Sequence, residues 1–191
     1  MLTIYNTDTK EKAPFQPIEP KKVGLYVCGP TVYDLCHVGH ARCYVAFDMV
    51  LRYLRANGYQ VKFVRNITDI DDKIIKKANE TMQSCQVITT FYTKEMHQDF
   101  EALNITPPDH EPCATEYIPQ MINLIETLIE KGYAYAAENG DVYFDVRKKE
   151  GYGHLSKRKL EELQAGARIE VNEAKKYPLD FTLWKKSKPN E

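Results

Sequence analysis

The hydrophobic pattern of the first third of the chain predicts a strand, a helix and a second strand. Residues 23–28 form a short apolar run that ends at Gly29-Pro30, which is typical of a buried strand stopped by a turn. Between residues 39 and 57 apolar side chains recur every three or four positions, and Gly58 follows as a C-terminal cap. Residues 61–68 then alternate apolar and polar. This order predicts a crossover unit with a parallel sheet.

Ligands of such sheets bind beyond the carboxyl ends of the strands. In this chain those ends are residues 28–31 and 66–68. Residues that bind a ligand are therefore expected in these two short segments and at the start of the helix between them.

The next part of the chain predicts two helices and a boundary. Residues 71–80 are short and charged, whereas residues 87–103 carry a broad apolar stripe that we expect to face a core. Three prolines between residues 104 and 112 break the helical pattern. We place a boundary between two modules there.

The second module predicts a helix followed by a hairpin. Thr115 can cap the helix, which we expect to end before Gly132. Two apolar runs then flank Asn139-Gly140, a pair that favours a two-residue hairpin turn. Ser156 can cap a last short helix that ends near Gln164.

Composition narrows the functional classes. The chain has 191 residues, of which 43% are hydrophobic and 28% charged, so it can bury a sizeable core. Its formal net charge is −1, so no overall basic field attracts nucleic acid or an anionic membrane. Any contact with RNA must be local, or made by parts outside these residues.

Nothing in the sequence predicts a membrane span or secretion. No apolar run reaches the roughly 18 residues that a span requires, and the first residues lack the features of a signal peptide. The five cysteines include no Cys-x-x-Cys pair, so we expect reduced thiols rather than a disulfide framework. We expect a cytoplasmic protein that does not bind membranes.

Two histidines occupy the predicted start of the first long helix. His37 and His40 are three positions apart across Gly39, where unpaired backbone N–H groups and the helix dipole favour phosphate. Both imidazoles can then point at one anion. Taken alone, two such histidines can equally cap the helix or cover an apolar face.

The histidines belong to a longer motif, and three further segments accompany it. The motif reads Cys28-Gly29-Pro30-Thr31-Val32-Tyr33-Asp34, two residues, His37-Val38-Gly39-His40, one residue and Arg42. The later segments are Val64-Arg65-Asn66-Ile67-Thr68-Asp69-Ile70-Asp71-Asp72-Lys73, Asn139-Gly140-Asp141-Val142-Tyr143-Phe144-Asp145 and Leu163-Gln164-Ala165-Gly166-Ala167-Arg168. In this order they resemble the cysteinyl-tRNA synthetases, a family of class I aminoacyl-tRNA synthetases, over essentially the whole chain.

The resemblance implies a reaction and the residues that assist it. ATP, with Mg²⁺, activates L-cysteine to cysteinyl-adenylate, and the cysteinyl group is then transferred to tRNA(Cys). His37 and His40 are implied to be the catalytic residues, which hydrogen-bond the phosphates as charge redistributes. Gly39 is implied to complete the ATP site by leaving room for adenine and ribose, or else it merely eases the helix start. We expect a monomer.

The resemblance also implies a zinc site and an amino-acid site. Cys28 is implied to be a zinc ligand, and the metal binds the thiolate of the substrate. The other ligands, a cysteine, a histidine and a glutamate, are expected from a segment outside this chain. Gly29, Thr31, Asn66 and Thr68 are expected to bind the substrate. For Asn66 and Thr68, capping of the strand end is an equal alternative, and an isolated cysteine at position 28 is otherwise a small buried hydrophobe.

Other clusters are assigned local roles. Cys36 and Cys43 lie near Cys28, but their spacing matches no common zinc pattern, and Cys85 and Cys113 are expected to be structural. Residues 185–188 superficially resemble the lysine-rich loop of the family, but we read them as a solvated tail. Asp69, Asp71 and Asp72 are expected to place negative charge at a helix start rather than to bind a metal.

We therefore expect an α/β fold. Residues 1–110 would form the amino-terminal part of a Rossmann-like catalytic domain, and residues 111–191 an inserted α+β subdomain of the connective-peptide type. The remaining catalytic, helical and anticodon-binding parts are expected outside this chain, so that these residues alone should not form cysteinyl-adenylate.

Two alternative functions stay open. One is a cysteine ligase of low-molecular-weight thiol biosynthesis, and the other is a non-catalytic module that binds nucleotide or cysteine. An oxidoreductase is disfavoured because no Gly-x-Gly-x-x-Gly follows the first strand.

Overall fold

The computed structural model describes residues 2–157 and 174–187, which contain seven strands and four α-helices. The strands are β1 (Thr3–Asn6), β2 (Glu11–Pro14), β3 (Lys22–Val27), β4 (Gln60–Arg65), β5 (Ala134–Ala136), β6 (Val142–Phe144) and β7 (Phe181–Trp184). The helices are α1 (Val38–Ala56), α2 (Asp72–Thr81), α3 (Cys85–Ala102) and α4 (Ile118–Glu130). The chain divides into two units, residues 16–118, and residues 1–15 with 119–191.

The predicted strand–helix–strand unit is confirmed in residues 16–118. Strands β3 and β4 pair in parallel, with Val23 opposite Val61 and Val27 opposite Arg65. Helix α1 lies between them in sequence, as a parallel connection requires. Isolated parallel bridges on the other side of β4 join Val64 to His110 and Ile67 to Cys113. Residues 110–113, which include the last of the three prolines, therefore run beside β4, and the unit of residues 16–118 extends beyond them.

Helix α1 buries part of the apolar repeat that predicted it, together with one aspartate. Its buried residues are Tyr44, Asp48, Leu51 and Leu54. Phe47 and Val50 also belong to the apolar repeat that predicted the helix, but they are 40% and 39% exposed.

Asp48 can occupy a buried position because both oxygens of its carboxylate accept hydrogen bonds. It accepts hydrogen bonds from the Thr106 backbone N–H at 2.9 Å and from Arg52 Nε at 2.6 Å. Burial opposes the charged form, but these hydrogen bonds outweigh it and lower the pKa of Asp48. The residue therefore ties α1 to the loop after α3.

Helices α2 and α3 begin with side-chain caps. Asp71 accepts from the Lys73 backbone N–H and Ser84 accepts from that of Val87. The long apolar stripe of α3 is only partly buried: Ile88, Met96 and Phe100 are inside, whereas Val87, Phe91 and Leu103 are about half exposed. The prediction that the whole stripe faces a core is therefore wrong.

Arg65 is buried at the end of β4 within aromatic and acidic neighbours. Its guanidinium carbon lies 4.6 Å from the ring centroid of Phe100 and 5.5 Å from that of Tyr44. Its Nη2 lies 2.6 Å from Glu111 Oε1, and Glu111 Oε2 lies 2.6 Å from His97 Nε2. Because the side chain of Arg65 is only 3% exposed, this ion pair links β4, α3 and the segment beside β4 in a partly dry environment.

The second unit contains the predicted hairpin, with a longer turn than expected. Strands β5 and β6 are antiparallel, but Ala137 N donates to Asp141 O and Gly140 N donates to Ala137 O. The turn thus has three residues, with Gly140 at φ +88°, and the two-residue turn is wrong. Strand β7 extends the sheet beside β6, which the sequence pattern did not predict, and β1 with β2 forms a further unpredicted hairpin.

The predicted helix after the prolines is present as α4, but Thr115 does not cap it. A short 3₁₀ turn, Ala114–Tyr117, precedes the helix, and the Thr115 hydroxyl binds the Asp69 carboxylate instead. The helix predicted to begin at Ser156 lies largely outside the described residues, as do the segment 163–168 and the last four residues. Among the helices of residues 2–157 and 174–187, none has the length and apolar character needed to span a membrane.

Candidate functional site

The segments beyond β3 and β4 remain paired past the ends of the strands. Val32 N donates to Thr68 O at 3.2 Å, and Thr68 N donates to Pro30 O at 3.1 Å. Thr31 and Thr68 form the corresponding parallel bridge. The structure therefore brings Gly29 and Thr31 next to Asn66 and Thr68, the four residues that the sequence singled out for substrate binding.

Asn66 is the centre of this arrangement. Its Oδ1 accepts from the Gly29 backbone N–H and from the Tyr26 hydroxyl, each at 2.8 Å, and its Nδ2 donates to Thr68 Oγ1 at 3.2 Å. A Cβ at position 29 would lie 1.4 Å from the backbone oxygen of Asn66, so only glycine fits there. The two strand ends therefore approach each other more closely than a side chain at position 29 would permit.

Cys28 presents an exposed thiol at the same edge of the sheet, which residues 28–31 and 66–68 form. It is exposed rather than buried, which argues against a packing role. Tyr44, which is buried in α1, donates its hydroxyl to the Cys28 backbone oxygen at 3.1 Å. Burial raises the pKa of the Tyr44 phenol, so the group remains a hydrogen-bond donor. The strand end that carries the thiol is thereby fixed to the helix.

The two histidines form a reciprocal cap at the N-terminus of α1. Gly39 N donates to His37 Nδ1 at 3.0 Å, and His37 N donates to His40 Nδ1 at 3.2 Å. The rings stack with centroids 3.9 Å apart and an interplanar angle of 19°. A Cβ at position 39 would lie 2.8 Å from His37 Cε1, so Gly39 gives the ring of His37 the space it occupies.

Capping fixes the tautomer of both rings. A neutral imidazole that accepts a hydrogen bond at Nδ1 carries its proton on Nε2. Burial, with a smaller effect of His37, lowers the pKa of His40 and so favours this neutral form. Each ring then has an Nε2–H group available to donate, at a helix terminus that already favours anions. Capping and phosphate binding, which the sequence presented as alternatives, are therefore compatible.

A zinc site cannot be completed from the described residues. In residues 2–157 and 174–187, no group of three or more His, Cys, Asp or Glu side chains is arranged to hold a metal. The thiol of Cys28 has suitable donor chemistry, but it stands as one ligand.

The remaining cysteines have local environments away from such a cluster. Cys36 hydrogen-bonds Asp99, and burial, with that carboxylate, raises the pKa of its thiol. Burial also raises the pKa of Cys113. All five cysteines of the chain are free thiols.

The other charged motifs also have local partners. Asp71 caps α2, as predicted, and Asp69 binds Thr115 rather than starting the helix. The Lys186 backbone N–H donates to Asp141 Oδ1, directly after β7. Asp69 and Asp71 thus have local partners next to the edge of the sheet that residues 28–31 and 66–68 form.

Sequence reasoning did not identify Tyr26 and Tyr44 as parts of this edge. Tyr26 and Cys28 are two positions apart, so they point to one face of the strand, and this period was visible in the sequence. The contact between Tyr26 and Asn66 depends on the register of β3 against β4, which the pattern of apolar residues did not define.

Comparison with protein families gives a match over most of the chain. A family model described as tRNA synthetases class I (C) catalytic domain matches residues 14–191. The chain is 60% identical over its whole length to a Cysteine--tRNA ligase of Vibrio atlanticus, of which it covers 41%. It is 59% identical to a Cysteine--tRNA ligase of Mannheimia succiniciproducens, of which it covers 42%. The chain thus spans about two fifths of the length of these curated relatives.

Solved structures support the α/β fold. A ternary complex of Agrobacterium radiobacter K84 LeuRS, tRNA and LeuAMS matches 70% of this chain and 17% of its own, with a TM-score of 0.55 and 22% identity. A Mycobacterium tuberculosis methionyl-tRNA synthetase in complex with methionyl-adenylate matches 65% of this chain and 25% of its own, with a TM-score of 0.54 and 24% identity. At these identities the likeness concerns the fold alone.

Proposed function

The chain belongs to the family of class I (C) tRNA synthetase catalytic domains, and from this we propose that it contributes the first half of a cysteine-activating site. In the proposed reaction the carboxylate of L-cysteine attacks the α-phosphorus of ATP, and pyrophosphate leaves. The cysteinyl group then passes from the adenylate to the terminal ribose of tRNA(Cys), and AMP leaves.

The observation that carries the proposal is the reciprocal cap of His37 and His40. Each ring accepts a backbone hydrogen bond at Nδ1, and each therefore offers Nε2–H to an anion while it remains neutral. As pyrophosphate leaves, negative charge grows on the phosphate oxygens, and fixed donors stabilise that charge without reorganising. Gly39 keeps the helix start free of a side chain on the ATP side.

The linked strand ends supply the amino-acid side of the site. Gly29 and Thr31 lie on one segment and Asn66 and Thr68 on the other, joined by backbone and side-chain hydrogen bonds. This rigid edge presents hydroxyl and amide groups beside the exposed Cys28 thiol. We assign these residues to the binding and orientation of L-cysteine.

Zinc and magnesium complete the proposal. Cys28 would provide one zinc ligand, and the remaining ligands would come from residues outside those described. Zinc, when bound, lowers the pKa of a thiol and prefers sulfur to a hydroxyl, which would distinguish cysteine from serine. Mg²⁺ would accompany ATP and neutralise its phosphates.

We further propose a monomeric cytoplasmic enzyme with a connective-peptide insertion. The β5–β6–β7 sheet is separate from the β3–β4 pair, as expected of an insertion, and it lies within the predicted segment 111–191. Residues 1–110 would then carry the amino-terminal part of the catalytic domain. Contacts with tRNA(Cys) would be made mostly outside this chain.

The proposal is tested by charging assays on the complete gene product that carries this sequence. We expect ATP-dependent transfer of labelled cysteine to tRNA(Cys), with no transfer to an amino-sugar acceptor. Transfer to the amino sugar but not to tRNA would assign the chain to thiol biosynthesis. Binding of ATP and cysteine without either transfer would identify a non-catalytic module.

A further inference from the structure

Tyr26 contacts the edge that is proposed to bind L-cysteine, although it lies outside the motif that begins at Cys28. It lies in β3, two residues before Cys28, and the residue is 63% exposed. Its hydroxyl nevertheless donates to Asn66 Oδ1 at 2.8 Å, across the parallel strand pair. An exposed tyrosine gains little from packing here, so the hydroxyl is the informative group.

The orientation of the Asn66 amide follows from its partners. The Gly29 backbone N–H can only donate, so the side-chain atom that faces it must be the oxygen. The Tyr26 hydroxyl donates to the same oxygen, and together these two donors occupy both of its lone pairs. Nδ2 must then point the other way, towards Thr68.

This orientation of the Asn66 amide determines whether the Thr68 hydroxyl can act as a hydrogen-bond donor. Its Oγ1 accepts from Asn66 Nδ2 at 3.2 Å, so its own proton is directed to another acceptor. In the part of the chain that the structure describes, no second partner of this hydroxyl is found. The edge therefore presents Thr68 O–H as a donor to a bound ligand.

We propose that Tyr26 is a positioning residue for the bound amino acid. Its hydroxyl joins the Gly29 backbone N–H in holding the Asn66 amide in one orientation, and through that amide it makes the Thr68 hydroxyl a donor towards L-cysteine. The inference rests on the proposed function of this edge and adds a residue to it. Tyr26 acts through Asn66 and Thr68, without touching the reacting atoms.

The test is steady-state cysteine-dependent ATP–pyrophosphate exchange by the complete gene product and its Tyr26→Phe variant. Loss of one neutral hydrogen bond should raise the KM for cysteine about 3- to 10-fold and change kcat less than about twofold. The KM for ATP should stay within about twofold, because the nucleotide side is untouched. Tyr53→Phe, on the exposed side of α1, is the matched control and should behave as the unmodified protein.

A double-mutant cycle separates positioning from a structural role. Thr68→Val replaces the hydroxyl by a methyl group and so removes both the donor to the ligand and the acceptor of Asn66. If Tyr26 acts through Thr68, Tyr26→Phe has no further effect on the KM for cysteine in the Thr68→Val background. Additive effects, or an unchanged KM in Tyr26→Phe, would overturn the inference.

The two levels of the proposal fail in different ways. Absence of cysteine-dependent exchange in the unmodified protein would refute the proposed function itself. Normal exchange with an insensitive Tyr26→Phe variant would refute only the role of Tyr26. A fall in kcat together with a lowered unfolding temperature would show that the hydroxyl is structural, which also contradicts the inference.

Discussion

At the scale of single residues, His37 combines a helix cap with a proposed contact to phosphate, and the two can be separated. Its Nδ1 caps α1 by accepting from Gly39 N, and its Nε2–H is available to a phosphate. Asparagine is a good N-cap residue, but its side chain is shorter than an imidazole, so its NH2 group does not take the place of the Nε2–H group while its oxygen makes the cap. A pair of substitutions at this position can therefore measure each task.

We predict that His37→Asn keeps the stability of the protein and loses catalysis. The unfolding free energy should stay within about 0.5 kcal/mol of the original, because the asparagine oxygen replaces the cap. The rate of cysteine-dependent pyrophosphate exchange should fall about 10²- to 10³-fold, as for other lost transition-state donors. In His37→Ala the exchange rate should fall by the same factor, and the unfolding free energy should also fall by about 1 kcal/mol. An active His37→Asn variant would show that the ring only caps the helix.

Gly29 and Gly24 provide a matched pair within one segment of chain. A Cβ at Gly29 would lie 1.4 Å from Asn66 O, whereas a Cβ at Gly24 has nothing within 4 Å. Gly29→Ala should cost about 3 kcal/mol or more in unfolding free energy, because backbone must move to admit it. Gly24→Ala should be neutral or stabilise the strand by about 0.5 kcal/mol. Equal urea unfolding curves for the two variants would contradict the close approach of the strand ends.

At the scale of elements, the start of α1 is sensitive to pH. The pKa of His40 in the folded protein is lowered from its ordinary value of 6.5, chiefly by burial. As the pH falls below that value, the unfolded chain takes up the proton first, so stability present above pH 6.5 is lost on acidification.

We predict that His40→Asn weakens this pH dependence. The asparagine oxygen can still accept from His37 N, but it does not titrate. Between about pH 7 and pH 5 the unfolding free energy of the variant should fall less steeply than that of the original protein. Parallel pH profiles from urea unfolding would contradict the assigned pKa direction.

The ion pair of Arg65 and Glu111 joins β4 to the segment beside it, and the pair of Lys22 and Glu19 offers a contrast. Arg65 is almost fully buried, whereas both partners of the second pair are more than 60% exposed. Arg65→Met should cost about 2–3 kcal/mol, since Glu111 loses its buried partner but keeps His97. Glu19→Gln should change the unfolding free energy by less than about 0.5 kcal/mol. Thermal unfolding of both variants checks this, and similar losses would contradict it.

Elements defined by short-range patterns were predictable, and those defined by distant partners were not. The spacing of apolar residues and Gly58 predicted where α1 begins and ends, and Asn139-Gly140 predicted the β5–β6 hairpin. The turn is longer because Asn139 Oδ1 accepts from Asp141 N and draws the chain into a local loop. Strand β7 was missed because its partner β6 lies about 40 residues earlier in the sequence.

The candidate site followed the same division. The residues at the ends of β3 and β4 were predictable because parallel strands end at one edge. The linkage of Tyr26, Asn66 and Thr68 was not, because it depends on register and on amide orientation. The burial of Arg65 was also missed, since alternation identifies a face but not a buried ion pair on it.

At the scale of the whole molecule, we propose that the described residues supply part of a reaction. In this proposal they contribute two donors for phosphate, an edge for an amino acid and one metal ligand, in a chain about two fifths as long as its curated relatives. The rest of the zinc site and most contacts with tRNA are expected elsewhere. The central claim is that this edge and this helix start bind cysteine and ATP for adenylate formation.

That claim is tested most directly by ATP–pyrophosphate exchange with the complete gene product and each of the standard amino acids in turn. The account predicts exchange with cysteine, little or none with serine, and its loss when Cys28 is replaced by serine. Exchange driven by another amino acid, or cysteine-dependent exchange that survives Cys28→Ser undiminished, would contradict it.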